Sequence, residues 1–85
     1  MNLQLRFFAS LREGLGLSEE VVSVPASVVT TADLRTWLIQ RGEVWAQLLS
    51  SERALRCAVN QHIAAENIAL SDGDEVAFFP PVTGG

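Results

Sequence analysis

The sequence contains no lysine, one cysteine and one histidine among its 85 residues. Because Cys57 is the only cysteine, an intrachain disulfide is excluded and a zinc cluster is not expected. Every basic side chain is an arginine. The six arginines and ten acidic residues give a net charge of −4, and this negative charge argues against nucleic acid as a partner. The sequence shows no signal-peptide pattern and no apolar run of transmembrane length, so we expect a cytoplasmic protein with no membrane partner.

The length suits one small domain and is too short for two hydrophobic cores. Hydrophobic residues make up 48% of the chain, which is enough for a packed interior without a disulfide or a metal. We predict one domain over residues 1–81 and a flexible, reactive tail over residues 82–85.

The C-terminal segment is the most informative part of the sequence. A strand-like apolar run reaches Phe79, and Pro80 and Pro81 then stop the strand and hold the chain extended ahead of Val82-Thr83-Gly84-Gly85. Glycine has no β-carbon, so the backbone of another protein can close around the α-carboxylate of Gly85. Since the chain has no lysine, an activated acyl group there would find no side-chain amine of its own molecule to acylate.

Period-two alternation and β-branched residues predict five strands. They lie at residues 3–7, 20–24, 55–60 and 75–79, with a short strand at Ile63. A turn with a short helical piece is expected over 9–16, where two glycines interrupt the pattern.

The main helix is predicted after Thr30 or Thr31, either of which can cap it. Its apolar stripe has three-and-four spacing, Leu34, Trp37 and Leu38. Gly42 ends or kinks this helix, and residues 43–49 are expected to add a further helical turn or two, bringing Val44, Trp45 and Leu48 to the core.

These elements predict an α+β fold, in which one main helix packs on one face of a mixed sheet of about five strands and buries both tryptophans. The first and last strands are expected to lie side by side and parallel in the middle of the sheet, as in a β-grasp fold.

Two phenylalanines are predicted to face away from the helix. If Phe7 and Phe78 point to the core, alternation turns Phe8 and Phe79 to the opposite face, where Ile63 joins them. An exposed apolar patch of this kind is typical of an interaction surface, and this one lies at the root of the tail. Three arginines are expected to rim the patch and pair with acidic residues of a partner: Arg6, Arg12 and Arg56.

The remaining candidate residues favour structural roles. Cys57 lies in a strand and is expected to act as a buried small apolar residue. His62 is expected to be a solvated histidine at a strand edge, and the acidic cluster around Asp72 and Asp74 matches a turn rather than a calcium loop. We therefore expect no catalytic group and no metal site on this chain.

Three segments resemble the small, sulfur-carrying subunits of molybdopterin synthase, which are ubiquitin-like β-grasp proteins. They are Phe7-Phe8-Ala9-x-Leu11-Arg12-Glu13, Ala58-Val59-Asn60, and the block from Leu70 to Gly85, which contains Asp-Gly-Asp-Glu-Val-Ala-Phe-Phe-Pro-Pro-Val-Thr-Gly-Gly. The resemblance covers nearly the whole chain.

The resemblance implies a sulfur carrier in molybdenum cofactor biosynthesis that has no catalytic activity alone. A ubiquitin-activating-like adenylyltransferase would consume ATP to adenylate the Gly85 carboxylate. A sulfur donor such as a cysteine desulfurase or rhodanese would then supply the sulfur of a thiocarboxylate. The tail, Pro80 to Gly84, would thread into the large catalytic subunit in a heterotetramer, and Phe8, Phe79, Ile63 and Arg12 would bind the partner. No cofactor would be bound by the carrier itself.

Three other functions remain open at this point. The chain could carry sulfur for thiazole or another thio-metabolite, although those carriers tend to lack the Phe-Phe-Pro-Pro run. It could be a ubiquitin-like protein modifier, or a β-grasp interaction module with an unreactive tail.

Overall fold

Five strands and three helices form within residues 1–64 and 67–81, the ranges that the computed structural model describes. In chain order they are β1 (Asn2–Phe7), α1 (Ala9–Leu15), β2 (Glu19–Ser23), α2 (Thr31–Ile39), α3 (Glu43–Leu49), β3 (Arg56–Val59), β4 (His62–Ile63) and β5 (Glu75–Phe79). The segment expected as a turn with a helical piece is helix α1, which ends at Gly16 in the left-handed conformation (φ 75°).

The strands form one mixed sheet in the order β2-β1-β5-β3-β4. Strand β1 pairs with β5 in parallel and with β2 antiparallel, while β3 pairs antiparallel with both β5 and β4. The predicted central position of the first and last strands is therefore confirmed, as is the α+β, β-grasp architecture.

The inner face of the sheet packs against the helices. Cross-strand pairing places Phe7 beside Phe78, and their rings stack with centroids 6.5 Å apart. The ring of Trp45 meets Phe7 edge-on at 5.6 Å. The helices contribute leucines with no exposed surface to this core: Leu34, Leu38 and Leu49.

Helix α2 begins with a capping box. The Thr30 hydroxyl oxygen accepts a hydrogen bond from the Asp33 amide at 3.2 Å, and the Asp33 carboxylate accepts one from the Thr30 amide at 3.0 Å. The pKa of the Asp33 carboxyl is lowered by hydrogen bonds from the Val29 amide and, next in size, from the Thr30 amide and the Thr30 side chain. Thr30 is thus the cap, while Thr31 is buried and its hydroxyl donates to the Asn67 side chain.

Two expectations about the helical layer were wrong. The side chain of Val44 is 43% exposed rather than part of the core. Both tryptophans are only half-buried. The Arg41 guanidinium lies over their rings, 5.9 Å from the Trp37 centroid and 4.4 Å from the Trp45 centroid, and makes two bonds to the Glu20 carboxylate. Arg41, just before α3, therefore ties the start of this helix to β2, and α3 presents one side to solvent.

The first residue extends the pairing of β1 with β2. The Met1 ammonium donates to the Val24 carbonyl at 3.1 Å, and the Val24 amide donates to the Met1 carbonyl at 2.9 Å. None of the helices in the described ranges is long and apolar enough to cross a membrane.

We predict that Thr30→Ala lowers the free energy of unfolding by about 1 kcal/mol, because the Asp33 amide loses its capping acceptor. The measurement is urea denaturation followed by circular dichroism. Thr36→Ala is the matched control, since Thr36 is exposed within α2 and alanine is the better helix former. An equal loss in both variants would contradict the capping role.

Candidate docking surface

The outer face of the sheet, opposite the helices, carries a shallow cleft of about 310 Å³. Its floor includes Ala58 and Ala77, which are cross-strand neighbours on β3 and β5. Because their side chains are small, the larger residues on either side protrude beyond them and form the walls of the cleft. We call this feature the outer cleft; its lining residues are Arg6, Phe8, Ala58, Gln61, Glu75, Ala77 and Phe79.

The structure places Phe8 and Phe79 together on the outer cleft. Phe8 follows β1, is 41% exposed, and continues the register in which Phe7 lies beside Phe78. Phe79 ends β5 and is half-buried. Ile63 is 65% exposed on β4, directly across from Ala58, so it extends the apolar surface toward the edge of the sheet. The three side chains thus share one face, as alternation predicted, and their role in binding stays a prediction.

Charged side chains border this apolar surface. The Arg6 guanidinium lies 5.8 Å from the Phe8 ring centroid, and its Nη1 atom lies 3.4 Å from Glu75 Oε1. Arg56 is exposed and pairs across the strands with Phe79. The rim therefore carries both signs of charge, because the acidic Glu75 lies in the cleft beside Arg6, which was predicted there.

Arg12 lies apart from the other predicted rim residues. It is exposed on α1, where its amide donates to the Phe8 carbonyl at 3.4 Å, but it does not line the outer cleft. The backbone of α1 is thus anchored to Phe8, while the Arg12 side chain belongs to the neighbouring surface.

Gln61 is a lining residue that sequence reasoning missed. It lies in the two-residue turn between β3 and β4, where Asn60 (φ 51°) and Gln61 (φ 69°) both adopt positive φ, as a type I′ turn requires. The Asn60 side chain ties this turn to β5 by donating to Asp74 and accepting from the Glu75 amide, each at 3.0 Å. A turn of Asn followed by a non-glycine residue gives a weak hairpin signal, so the position of Gln61 over the cleft could not be foreseen.

The tail leaves the sheet beside the outer cleft. Since β1 and β5 are parallel, their ends at Phe7 and Phe79 lie at the same edge of the sheet. Pro80 and Pro81 follow β5 and are half-buried. The remaining residues of the predicted reactive tail, Val82 to Gly85, lie outside the described residues.

Cys57 is on the other face of the sheet, beside Phe78. It is half-buried rather than fully buried, and burial raises the pKa of its thiol to about 11, with the positive charge of Arg35 acting in the opposite direction. At neutral pH this thiol is protonated, and it is therefore a weak nucleophile.

The acidic and histidine residues have the structural roles expected of them. An oxygen of Asp72 accepts from the Asn2 amide, and one of Asp74 accepts from the Ser71 amide, so both carboxylates hold the turn before β5. His62 is exposed on β4. Within residues 1–64 and 67–81, no cluster of three histidine, cysteine or acidic side chains is placed to hold a metal ion.

Comparison with known proteins identifies the family. The sequence model of the ThiS family matches residues 5–85. The molybdopterin synthase sulfur carrier subunit of Escherichia coli is 41% identical over 83 residues, which cover 98% of this chain and 99% of that protein.

Two solved structures have the same fold over the full length of the chain. The crystal structure of the small archaeal modifier protein SAMP1 from Haloferax volcanii matches with a TM-score of 0.79 and 27% identity, covering 100% of both chains. A chain in the complex of subunits 1 and 2 of molybdopterin-converting factor from Helicobacter pylori matches with a TM-score of 0.68 and 28% identity, again covering 100% of both chains. Because the family match spans nearly all of the sequence, up to and including Gly84 and Gly85, the chain belongs to the ThiS family.

Proposed function

We propose that this chain is the sulfur carrier subunit of molybdopterin synthase and carries sulfur as a thiocarboxylate on Gly85. The observation that supports this function best is the 41% identity to a carrier of that name over almost the whole length of both chains. The family match also includes the Gly-Gly end, so the reactive terminus belongs to the region of similarity.

The chemistry requires adenylylation of the terminal carboxylate and then transfer of its acyl group to sulfur. A C-terminal carboxylate has a pKa near 3.5, so it is ionised at neutral pH and is a poor electrophile. Its oxygen attacks the α-phosphorus of ATP and displaces pyrophosphate, which gives an acyl adenylate. A persulfide sulfur of the donor then attacks the acyl carbon and AMP leaves, which gives an acyl disulfide; a thiol reductant cleaves its S–S bond and releases the thiocarboxylate.

The carrier needs no catalytic side chain for these steps. The adenylyltransferase supplies the ATP site, and a cysteine desulfurase or rhodanese supplies the sulfur. The large synthase subunit then provides the site in which the thiocarboxylate gives its sulfur to the dithiolene of molybdopterin. The carrier contributes the terminus, the threading segment from Pro80 to Gly84, and a surface that each enzyme can bind. We place this cycle in the cytoplasm, where ATP is available.

The outer cleft is the surface that we propose the partner binds. It combines the exposed ring of Phe8 with the half-buried side chain of Phe79 at the edge from which the tail departs, and Ile63 enlarges the apolar surface. Arg12 on the adjoining helix is proposed to pair with an acidic residue of the partner. The partner is the large catalytic subunit, in a heterotetramer of two carriers on a dimer of large subunits. The Helicobacter pylori complex supports this assignment, since one of its chains has the fold of this protein.

A second candidate function is protein modification through the same terminus. The observation that favours it is the full-length structural match to the modifier SAMP1. Activation as an acyl adenylate is common to both functions, but a modifier passes its acyl group to an amine of another protein. Without lysine, this chain would form no polymer through its own side chains.

The mass of the intact protein distinguishes these functions. After incubation with an adenylyltransferase, ATP, a sulfur donor and a thiol reductant, we expect one oxygen to be replaced by sulfur. Deletion of Gly85, or addition of one residue after it, should abolish the exchange, because the reactive carboxylate is displaced. Conjugates to other proteins would instead support the modifier, and exchange in either altered terminus would overturn the assignment to Gly85.

Cys57 offers a test of whether sulfur resides elsewhere on the chain. With its pKa raised to about 11 from an ordinary value of 9.0, the folded protein has about a hundredth of the thiolate of the unfolded chain at pH 8. Alkylation by iodoacetamide should therefore be about a hundredfold slower in the folded protein than in urea.

Cys57→Ala should accept sulfur as the wild type does; loss of loading in this variant, with the fold intact, would contradict a carrier role confined to Gly85.

Truncation of the aromatic rings tests the docking surface. We expect Phe8→Ala and Phe79→Ala to raise the Kd for the large subunit by about tenfold to a hundredfold, since each removes a large apolar contact, and to leave the fold intact. Isothermal titration calorimetry gives the Kd, and circular dichroism checks the fold. Val44→Ala is the matched control, because Val44 is as exposed as Phe8 (43% and 41%) but lies in the helical layer.

Unchanged affinity in both phenylalanine variants would exclude the outer cleft as the binding surface. Equal weakening in Val44→Ala would show that the effect is not specific to this face.

A further inference from the structure

Arg6 lies between two depressions on the outer face of the sheet. The outer cleft is on one side of it, and a hollow of about 460 Å³ beside β2 is on the other. We call the second depression the β2 hollow. It is bounded by Gln4, Glu19 and Val21, and it shares Arg6 and Glu75 with the outer cleft. The two depressions therefore form one continuous surface with Arg6 inside it.

Apolar side chains are exposed on both sides of Arg6. Val21 is 70% exposed on β2, and Phe8 is 41% exposed after the end of β1. Alternation places Val21 on the outer face of the sheet, because its neighbour Val22 is buried. A partner that covers both apolar positions also covers Arg6 and removes water from its guanidinium.

The Arg6 guanidinium is poorly bonded within the chain. Its Nη1 atom lies 3.4 Å from Glu75 Oε1, which is longer than the roughly 2.7–2.9 Å of a charge-assisted hydrogen bond. Its Nε atom is shielded from solvent and has no acceptor among the residues that the structure describes. Because arginine has five N–H donors, these contacts use a small part of its hydrogen-bonding capacity.

Two other arginines have their donors engaged in the fold. Arg41 makes two bonds to the Glu20 carboxylate, at 2.9 and 2.8 Å. Arg35 donates to three backbone carbonyl groups at and after the end of α3. The fold therefore accounts for these two guanidinium groups, whereas it does not account for the one at position 6.

We propose that Arg6 is a specificity-determining residue of the docking surface and that its guanidinium binds a carboxylate of the large subunit. This inference rests on the proposed function, because the partner is the one proposed there. A charge that loses its water on docking is costly unless it gains a counter-charge. A carboxylate fits best, because its two oxygens match two parallel N–H groups of arginine.

The free carrier already holds Arg6 near the position that this pairing needs. The Phe8 ring centroid lies 5.8 Å from the guanidinium, and Glu75 contacts it from β5. This partial ordering lowers the entropic cost of forming the pair. A protein without an acidic residue at this point is rejected, because it would cover the guanidinium and leave it unpaired.

Titration against the purified large subunit tests the role of Arg6. We expect Arg6→Gln to raise the Kd by at least about tenfold, because the carboxylate of the partner is left covered and unpaired. Arg53→Gln is the matched control: it removes the same charge from an exposed arginine beside α3 and should leave the Kd nearly unchanged. Circular dichroism checks the fold of both variants. An equal rise in Kd for both would overturn the role, because it would report only the net charge of the carrier.

A double variant separates the carboxylate of the partner from Glu75. Arg6→Gln also removes the contact of Glu75, and a covered Glu75 without that contact would by itself weaken binding. We expect Arg6→Gln to raise the Kd by the same factor in the Glu75→Gln background as in the wild type, because the lost bond is to the partner. If the effect disappears in that background, the pair is internal to the carrier and the proposal is wrong.

The phenylalanine variants separate this inference from the proposed function. If Phe8→Ala weakens binding but Arg6→Gln does not, the role of Arg6 is wrong and the docking surface stands. If neither Phe8→Ala nor Phe79→Ala changes the Kd, the docking surface is wrong and the role of Arg6 fails with it. A wild-type chain that does not bind the large subunit would overturn the proposed function itself.

Discussion

The parallel pairing of β1 with β5 is the constraint on which the rest of the structure depends. It brings the first and last strands together in the centre of the sheet, with Phe7 beside Phe78 on the inner face. Because the two strands run in the same direction, both end at one edge of the sheet. Helix α1 and the C-terminal tail therefore start from neighbouring points, and a residue that follows one strand lies beside the end of the other.

The pairing also explains why adjacent residues at the end of each strand lie on opposite faces of the sheet. Phe7 and Phe78 are buried at 1% and 2% exposure, while their sequence neighbours Phe8 and Phe79 face the outer cleft. A shift of one residue in the register would exchange these pairs and bury the wrong rings. The apolar core thus fixes the position of the outer rings, so the stability of the domain and the shape of its proposed docking surface have a common origin.

Much of the fold could be predicted because strand alternation and helix capping are local signals. The β5 pattern placed Val76 and Phe78 in the core and Phe79 outside it, and Thr30 stood where a cap was needed. The exposed position of Val44 could not be predicted, because it depends on how α3 rotates against α2, and the cover that Arg41 gives the Trp45 ring is likewise a tertiary contact.

The site was predictable to the same extent. Phe8, Phe79 and Ile63 follow from alternation along single strands, so the sequence was sufficient to place them on one face. Glu75 could have been found in the same way, since it alternates with Ala77 and Phe79. Gln61 depends on the geometry of a turn, and the separation of Arg12 from the cleft depends on the direction of α1; both are tertiary properties that no local pattern encodes.

The bond between the Met1 ammonium and the Val24 carbonyl holds the α-amino group at the end of β1 opposite the tail. The β1 strand, Asn2–Phe7, separates that bond from the edge where the tail departs, a distance of roughly 20 Å at the rise of a β-strand. The tail starts at the other end of β1, and the six residues after Phe79 span about 20 Å only when fully extended. For the C-terminal carboxyl group to meet the α-amino group of Met1, the tail would have to fold back straight along the whole length of β1. This geometry disfavours cyclisation of the folded chain and leaves water or another molecule as the favoured acceptor of an acyl group at that end.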